Sequence, residues 1–161
     1  MLDAWVGAVR KNHALEHATV AVLLARHGPM RVAGRASPDG FYLFGSLRDE
    51  DVDAAAHEAL RRLQAGESNL AVSPHCGTNI AVAGFAAGLA AATVVSTGPA
   101  WKRFPNAVTA AMLAVIAAQP LGRRVQRHLT TSADLRDVEI VGTRSLLGSL
   151  KKVQTRLTAA P

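Results

Sequence analysis

Apolar positions near the start of the chain recur at helical spacing. In "MLDAWVGAVRKNHALEHATVAVLLARHGP", Val9, Val20 and Leu24 share one stripe, which predicts a helix from about Ala4 to Arg26, stopped by "HGP". The period then shortens. "MRVAGRASPDGFYLFG" reads as two short strands around the turn Pro38-Asp39-Gly40. In "SLRDEDVDAAAHEALRRLQAGE" the stripe Val52, Ala55, Ala56, Ala59, Leu60, Leu63 predicts a second helix, capped at Ser46 or Asp49 and closed by Gly66. "LAVSP" reads as a short strand leading into "HCGTN".

Between Glu67 and Lys102 there is no Asp, Glu, Lys or Arg, and "NIAVAGFAAGLAAATVVSTGPAW" is long enough to span a bilayer. "FPNAVTAAMLAVIAAQPLG" follows after only Lys102 and Arg103, flanked by Trp101 and Phe104 as at an interfacial turn. Gly84 and Gly88 form a small-x-x-x-small pair suited to close helix approach. These stretches predict a two-helix transmembrane hairpin; the alternative is a soluble alanine-rich hairpin. Beyond it, "RDVEIVGTR" alternates as a strand. "SLLGSLKKVQTRL" sets Leu146, Leu147, Leu150, Val153 and Leu157 opposite Lys151, Lys152 and Arg156, predicting an amphipathic helix on the membrane surface or docked on the domain. The expected organisation is an α+β domain over 1–78, a transmembrane hairpin over 79–122, and a strand plus helix over 123–161 completing the domain. The fold class is α+β, a small antiparallel sheet with packed helices.

Composition adds direction. Of 161 residues, 49% are hydrophobic but only 4% aromatic, which suits closely packed helices. The net charge of +6 comes without aromatics interleaved among the basic clusters, so no nucleic-acid partner is expected and an anionic lipid membrane is the better match. Arg123, Arg124 and Arg127 outnumber Lys102 and Arg103, which places both termini on the cytoplasmic side of a two-pass bacterial membrane protein. The single cysteine, Cys76, excludes an internal disulfide and fits a reducing compartment. The N-terminus lacks the basic-then-apolar order of a signal peptide.

The first helix carries the chemistry. At roughly 100° per residue, His17 lies about 40° from His13, and Glu16 about 60° to the other side, all on the buried face. Burying three titratable groups is costly unless they have partners, and a divalent metal satisfies all of them. H-x-x-E-H is the inverted zincin pattern, in which the histidines bind metal and the glutamate moves protons. Hydrogen-bonded core histidines are the alternative. A third ligand is needed, and Cys76 is the main candidate, with His75 its neighbouring alternative. His13, His17 and Cys76 give a His2Cys set with an open fourth position, suited to zinc or Fe(II), with cobalt also acceptable.

"HALEH", "GRASPDGFYLFG", "VDAAAHEALRRL" and "HCGTN" occur in an order that resembles S-ribosylhomocysteine lyase over about His13 to Thr78. The resemblance implies an α+β fold shared with inverted-zincin peptidases, a metal on His13, His17 and Cys76, Glu16 as general acid/base, and a dimer with sites at the subunit interface. It also implies Ser37 as a catalytic position, and Asp39, Phe41 and His75 as substrate contacts. The sequence departs from that family at Ser37, where the family has its second catalytic cysteine, and it lacks the family's N-terminal strands. Cleavage of S-ribosylhomocysteine is therefore not expected. The chain also looks like a group of short bacterial membrane proteins with "HALEHAT", "GFYLYG" and "CGTN"-type motifs. The expected function is a membrane-anchored metal-dependent enzyme, a hydrolase or lyase acting on a small-molecule or peptide substrate. The alternative is a non-catalytic metal-binding or scaffold protein.

Overall fold

A computed structural model describes residues 2–158. The chain divides into two compact units, one of residues 1–73 with 127–161 and the other of residues 74–126.

The first unit is α+β. Helix α1 (Leu2–His27) is followed by strands β1 (Ala33–Ser37) and β2 (Gly40–Phe44), helix α2 (Asp49–Gln64) and a tight 3-10 turn, Ser68–Ala71. After the second unit come β3 (Val138–Leu147) and β4 (Leu150–Leu157). The sheet runs β1-β2-β4-β3 with all neighbours antiparallel. Phe41 pairs with Val153 and Tyr42 with Lys152. Because side chains alternate along a strand, Phe41, Leu43 and Val153 share one face, against which α1 and α2 pack. Leu15, Leu23, Val52, Ala55, Ala56, Ala59 and Leu63 fill the layer between. Small residues on α2 let it lie close to α1, as its stripe predicts.

The two-residue loop Pro38-Asp39 works because of Gly40, whose φ is +135°. A Cβ there would lie 2.0 Å from the Val153 carbonyl oxygen, so β2 approaches β4 at a spacing that excludes a side chain. Gly40→Ala should destabilise the chain by on the order of 2–4 kcal/mol, read as a lowered urea midpoint with unchanged slope.

Three expectations are corrected here. The segment after Leu146 is a β-hairpin and not an amphipathic helix: Leu147 pairs with Leu150 across Gly148, whose φ is +42°. Its helical stripe was coincidental, because Lys151 and Lys152 are both buried in the strand. Lys151 Nζ pairs with Asp49 at 2.6 Å and Lys152 Nζ with Asp39 at 2.8 Å. "LAVSP" forms no strand; Ser68–Ala71 is a 3-10 turn that buries Ala71. Helix α2 is capped at Arg48 without a side-chain bond, while Asp49 sits in the first turn and is engaged by Ser145 and Lys151.

The second unit is a helical hairpin of α3 (Gly77–Val95) and α4 (Ala100–Val125), and α4 runs on into a π-type turn, Gln126–Thr130. Both helices are long and apolar enough to cross a membrane by length and composition, with mean hydropathy 1.7 and 1.4. Ile80, Phe85, Leu89, Met112, Leu113 and Ile116 are exposed along them. The reversal falls at Ser96–Pro99, so Trp101 to Phe104 belong to the first turn of α4 and do not form the loop. The close approach of the helices is also not at Gly84 and Gly88, where a Cβ would meet nothing within 4 Å. It is at Gly122, where a Cβ would lie 2.4 Å from Asn79 Oδ1.

Candidate metal centre

The middle of α1 buries Asn12, Glu16, His17 and Thr19 alongside Ala14, Leu15 and Ala18. Each has a specific engagement. Asn12 Nδ2 donates to the carbonyls of Ser37 (2.8 Å) and Pro38 (3.1 Å), and Asn12 Oδ1 accepts from Thr155 Oγ1 at 2.7 Å. This residue ties α1 to the β1–β2 turn and to β4, and so fixes the rotation of the helix at the residue before His13. Sequence reasoning missed it, although an asparagine on an apolar stripe was a visible signal.

The two imidazoles are oriented alike. His13 Nδ1 lies 2.9 Å from the Thr130 carbonyl oxygen, supplied by the π-type turn, and His17 Nδ1 lies 2.9 Å from that of Ala71, supplied by the 3-10 turn. A carbonyl oxygen only accepts, so Nδ1 carries the proton in each ring and the neutral tautomer has its lone pair on Nε2. This is the outer-shell bond that metal-ligating histidines characteristically make, and it sets both tautomer and ring orientation. The ring centroids are 4.3 Å apart and tilted by 57°. Glu16 Oε2 is 3.9 Å from His13 Nε2. The Glu16 carboxylate lies over Gly34 of β1, where a Cβ would be 2.0 Å from Oε1.

Cys76 is the buried N-cap of α3, and its Sγ accepts a hydrogen bond from the Thr78 amide at 3.4 Å. An amide donor at a helix N-terminus supports negative charge on sulfur, the form in which a cysteine binds metal. One ligand atom from each of His13, His17 and Cys76 can be chosen so that all three lie within 4.8 Å of one another. A tetrahedral zinc with bonds of 2.0–2.3 Å has ligand separations of about 3.5 Å. Soft sulfur with two imidazoles suits zinc or Fe(II). His75 is exposed and stands outside this group.

The other expected site residues lie elsewhere. Phe41, expected at the substrate, is fully buried and part of the core. Ser37 sits three residues along β1 from Gly34, so it projects from the opposite sheet face. Its Oγ accepts from Lys152 Nζ at 2.7 Å and lies 2.8 Å from Asp39 Oδ1. Lys152 Nζ also stands 4.1 Å over the Tyr42 ring. Sequence reasoning had no signal for this buried lysine, whose partners are more than a hundred residues away.

Asp39 is held below the ordinary carboxylate value of 3.8, first by the hydrogen bond from Lys152 and then by that from Ser37, with desolvation opposing. A lowered folded-state value gives stability that is present above pH 3.8 and is lost as pH falls through the folded value. The stability difference between the parent chain and Asp39→Asn should therefore shrink on acidification below pH 3.8, followed by urea titration at stepped pH. The carboxylate is 61% exposed, so the effect is screened and small beside the whole stability.

No solved structure matches the chain. An uncharacterised protein of Picosynechococcus sp. is 40% identical over 141 residues, covering 79% of this chain and 67% of that protein. A family model described as a domain of unknown function, DUF6391, matches residues 8–143, and so takes in His13, Glu16, His17 and Cys76. The chain belongs to the DUF6391 family.

Proposed function

We propose that the chain is a membrane-anchored metal-dependent enzyme, a hydrolase or lyase, with its metal on His13, His17 and Cys76. The observation that carries this reading is the approach of two imidazoles and one thiol to within 4.8 Å, with both Nδ1 atoms committed to backbone carbonyls. Zinc or Fe(II) bound there would act as a Lewis acid, polarising a carbonyl or acidifying a bound water. The chain's own residues supply the rest. His13 and His17 present Nε2 from one helix face, and the carbonyls of Thr130 and Ala71 hold the rings in place. Glu16, beside His13, is the carboxylate that takes and returns the proton. The apolar hairpin of α3 and α4 supports anchorage in a bacterial cytoplasmic membrane, and Arg123, Arg124 and Arg127 after it support cytoplasmic termini.

A non-catalytic metal-binding role is the second reading, favoured by Ser37, which stands where the resembling lyases carry a catalytic cysteine and is bound to Lys152. Under that reading Glu16 only orients His13. Glu16→Gln separates the two. The enzyme reading expects metal content within about twofold of the parent, and binding of acetohydroxamate weakened by about tenfold, since that chelator needs a carboxylate acceptor beside the metal. Equal hydroxamate binding in parent and variant would reject the catalytic role.

A further inference from the structure

The hairpin carries a groove that the metal reading does not use. It measures about 340 Å³ and is lined by Pro74, Asn79, Ile80 and Ala83 on one side and Val115, Gln119 and Arg123 on the other. The second set recurs at i, i+4 and i+8 and forms a single face of α4. Polarity is graded along it. Ala83 and Val115 lie deepest in the hairpin, Gln119 comes one turn nearer its open end, and Arg123 lies in the last turn of α4 opposite Asn79 and Pro74. Arg123 is the charged residue among those that line the groove, and none of them is acidic. The wall opposite Arg123 is a built turn: Asn79 Nδ2 donates to the Pro74 carbonyl at 3.1 Å and Asn79 N to the Cys76 carbonyl at 2.9 Å. Asn79 in turn packs on Gly122, which keeps α4 close at this level.

An apolar slot that ends on one arginine and the carboxamides of Gln119 and Asn79 matches a molecule with a hydrocarbon chain and an anionic head. The volume is at the small end of the roughly 300–1,000 Å³ typical of ligand pockets, which suits one chain and not two. We propose that this groove binds a single-chain anionic lipid, with its carboxylate on Arg123 and Gln119 and its chain along Ile80, Ala83 and Val115. Arginine serves here because its planar fork meets a carboxylate with two parallel bonds. The turn that forms one wall also bears Cys76, so the lipid head group would lie on the segment that supplies the proposed thiol ligand. The inference rests on the hairpin lying in lipid, but it does not require a metal.

The test uses the full chain in nanodiscs of zwitterionic phosphatidylcholine, titrated with 11-(dansylamino)undecanoic acid and with its methyl ester. The acid should bind saturably, one per chain, and the ester at least about fivefold more weakly. Arg123→Gln should weaken the acid about fivefold or more, Arg124→Gln should leave it unchanged, and Ala83→Phe and Val115→Phe, from opposite walls, should each abolish it. His13→Ala, measured alongside, should bind the acid as the parent does, which separates this site from the metal reading. Flotation of the chain with liposomes reads membrane insertion independently. Non-saturable partitioning, equal binding of acid and ester, insensitivity to Arg123→Gln, or loss in His13→Ala would each overturn the assignment.

Discussion

Replacing His17 by alanine is expected to cut metal affinity by at least about a hundredfold, and Cys76→Ser to do nearly the same. Two imidazoles and a thiolate are the smallest set that holds a divalent cation firmly while leaving a position open. Losing one leaves a bidentate site, His13 with Cys76 in the first variant and the two α1 histidines in the second, a larger loss than the roughly 10–100-fold cost of an outer-shell partner. His17 is the more sensitive histidine because it is 5% exposed and its Nδ1 proton is committed to Ala71. His13 is half-buried and its carbonyl partner, Thr130, ends the turn that follows α4. Competition against a chromophoric chelator reads both variants, and unchanged affinity in His17→Ala would place any metal elsewhere.

Asn12→Leu should cost stability on the order of 3 kcal/mol. Leucine fills the same volume, so the cost comes from the partners. The carbonyls of Ser37 and Pro38 and the hydroxyl of Thr155 lose their bonds inside the protein, and each buried polar group left unsatisfied costs about 1–3 kcal/mol. Partial access of water to the turn keeps the total below the sum. The same substitution frees the rotation of α1 one residue before His13, so metal affinity should fall with stability. Chemical denaturation with and without metal separates the two effects, because a ligand that binds only the folded chain adds an increment set by its concentration and its affinity for that chain. A loss of under about 1 kcal/mol would show that Asn12 does not set the helix.

Local signals were legible in the sequence and non-local ones were not. The stripes of α1 and α2, the Pro38-Asp39-Gly40 turn and the uncharged stretch each announce themselves within one continuous run of sequence, and the structure has elements there. The β3–β4 hairpin was misread because its evidence is remote. Lys151 and Lys152 look solvent-exposed in sequence, and only Asp49 and Asp39, about a hundred residues earlier, make their burial tolerable. A leucine stripe of period 3.6 then outvoted a strand of period 2. At the candidate site, the spacing of His13 and His17 put both rings on one helix face. The carbonyls that orient them could not be read, since Ala71 and Thr130 are contributed by turns 54 and 117 residues away. Ser37 was placed by motif order, and strand alternation turned its side chain to the other face of the sheet.

The most direct measurement is X-ray absorption at the metal edge on the purified chain, extracted in detergent and loaded with one equivalent of zinc. Coordination by His13, His17 and Cys76 predicts one sulfur at about 2.3 Å and two imidazole nitrogens at about 2.0–2.1 Å, with a light atom in the fourth position. A shell of nitrogen and oxygen alone, without sulfur, would contradict it.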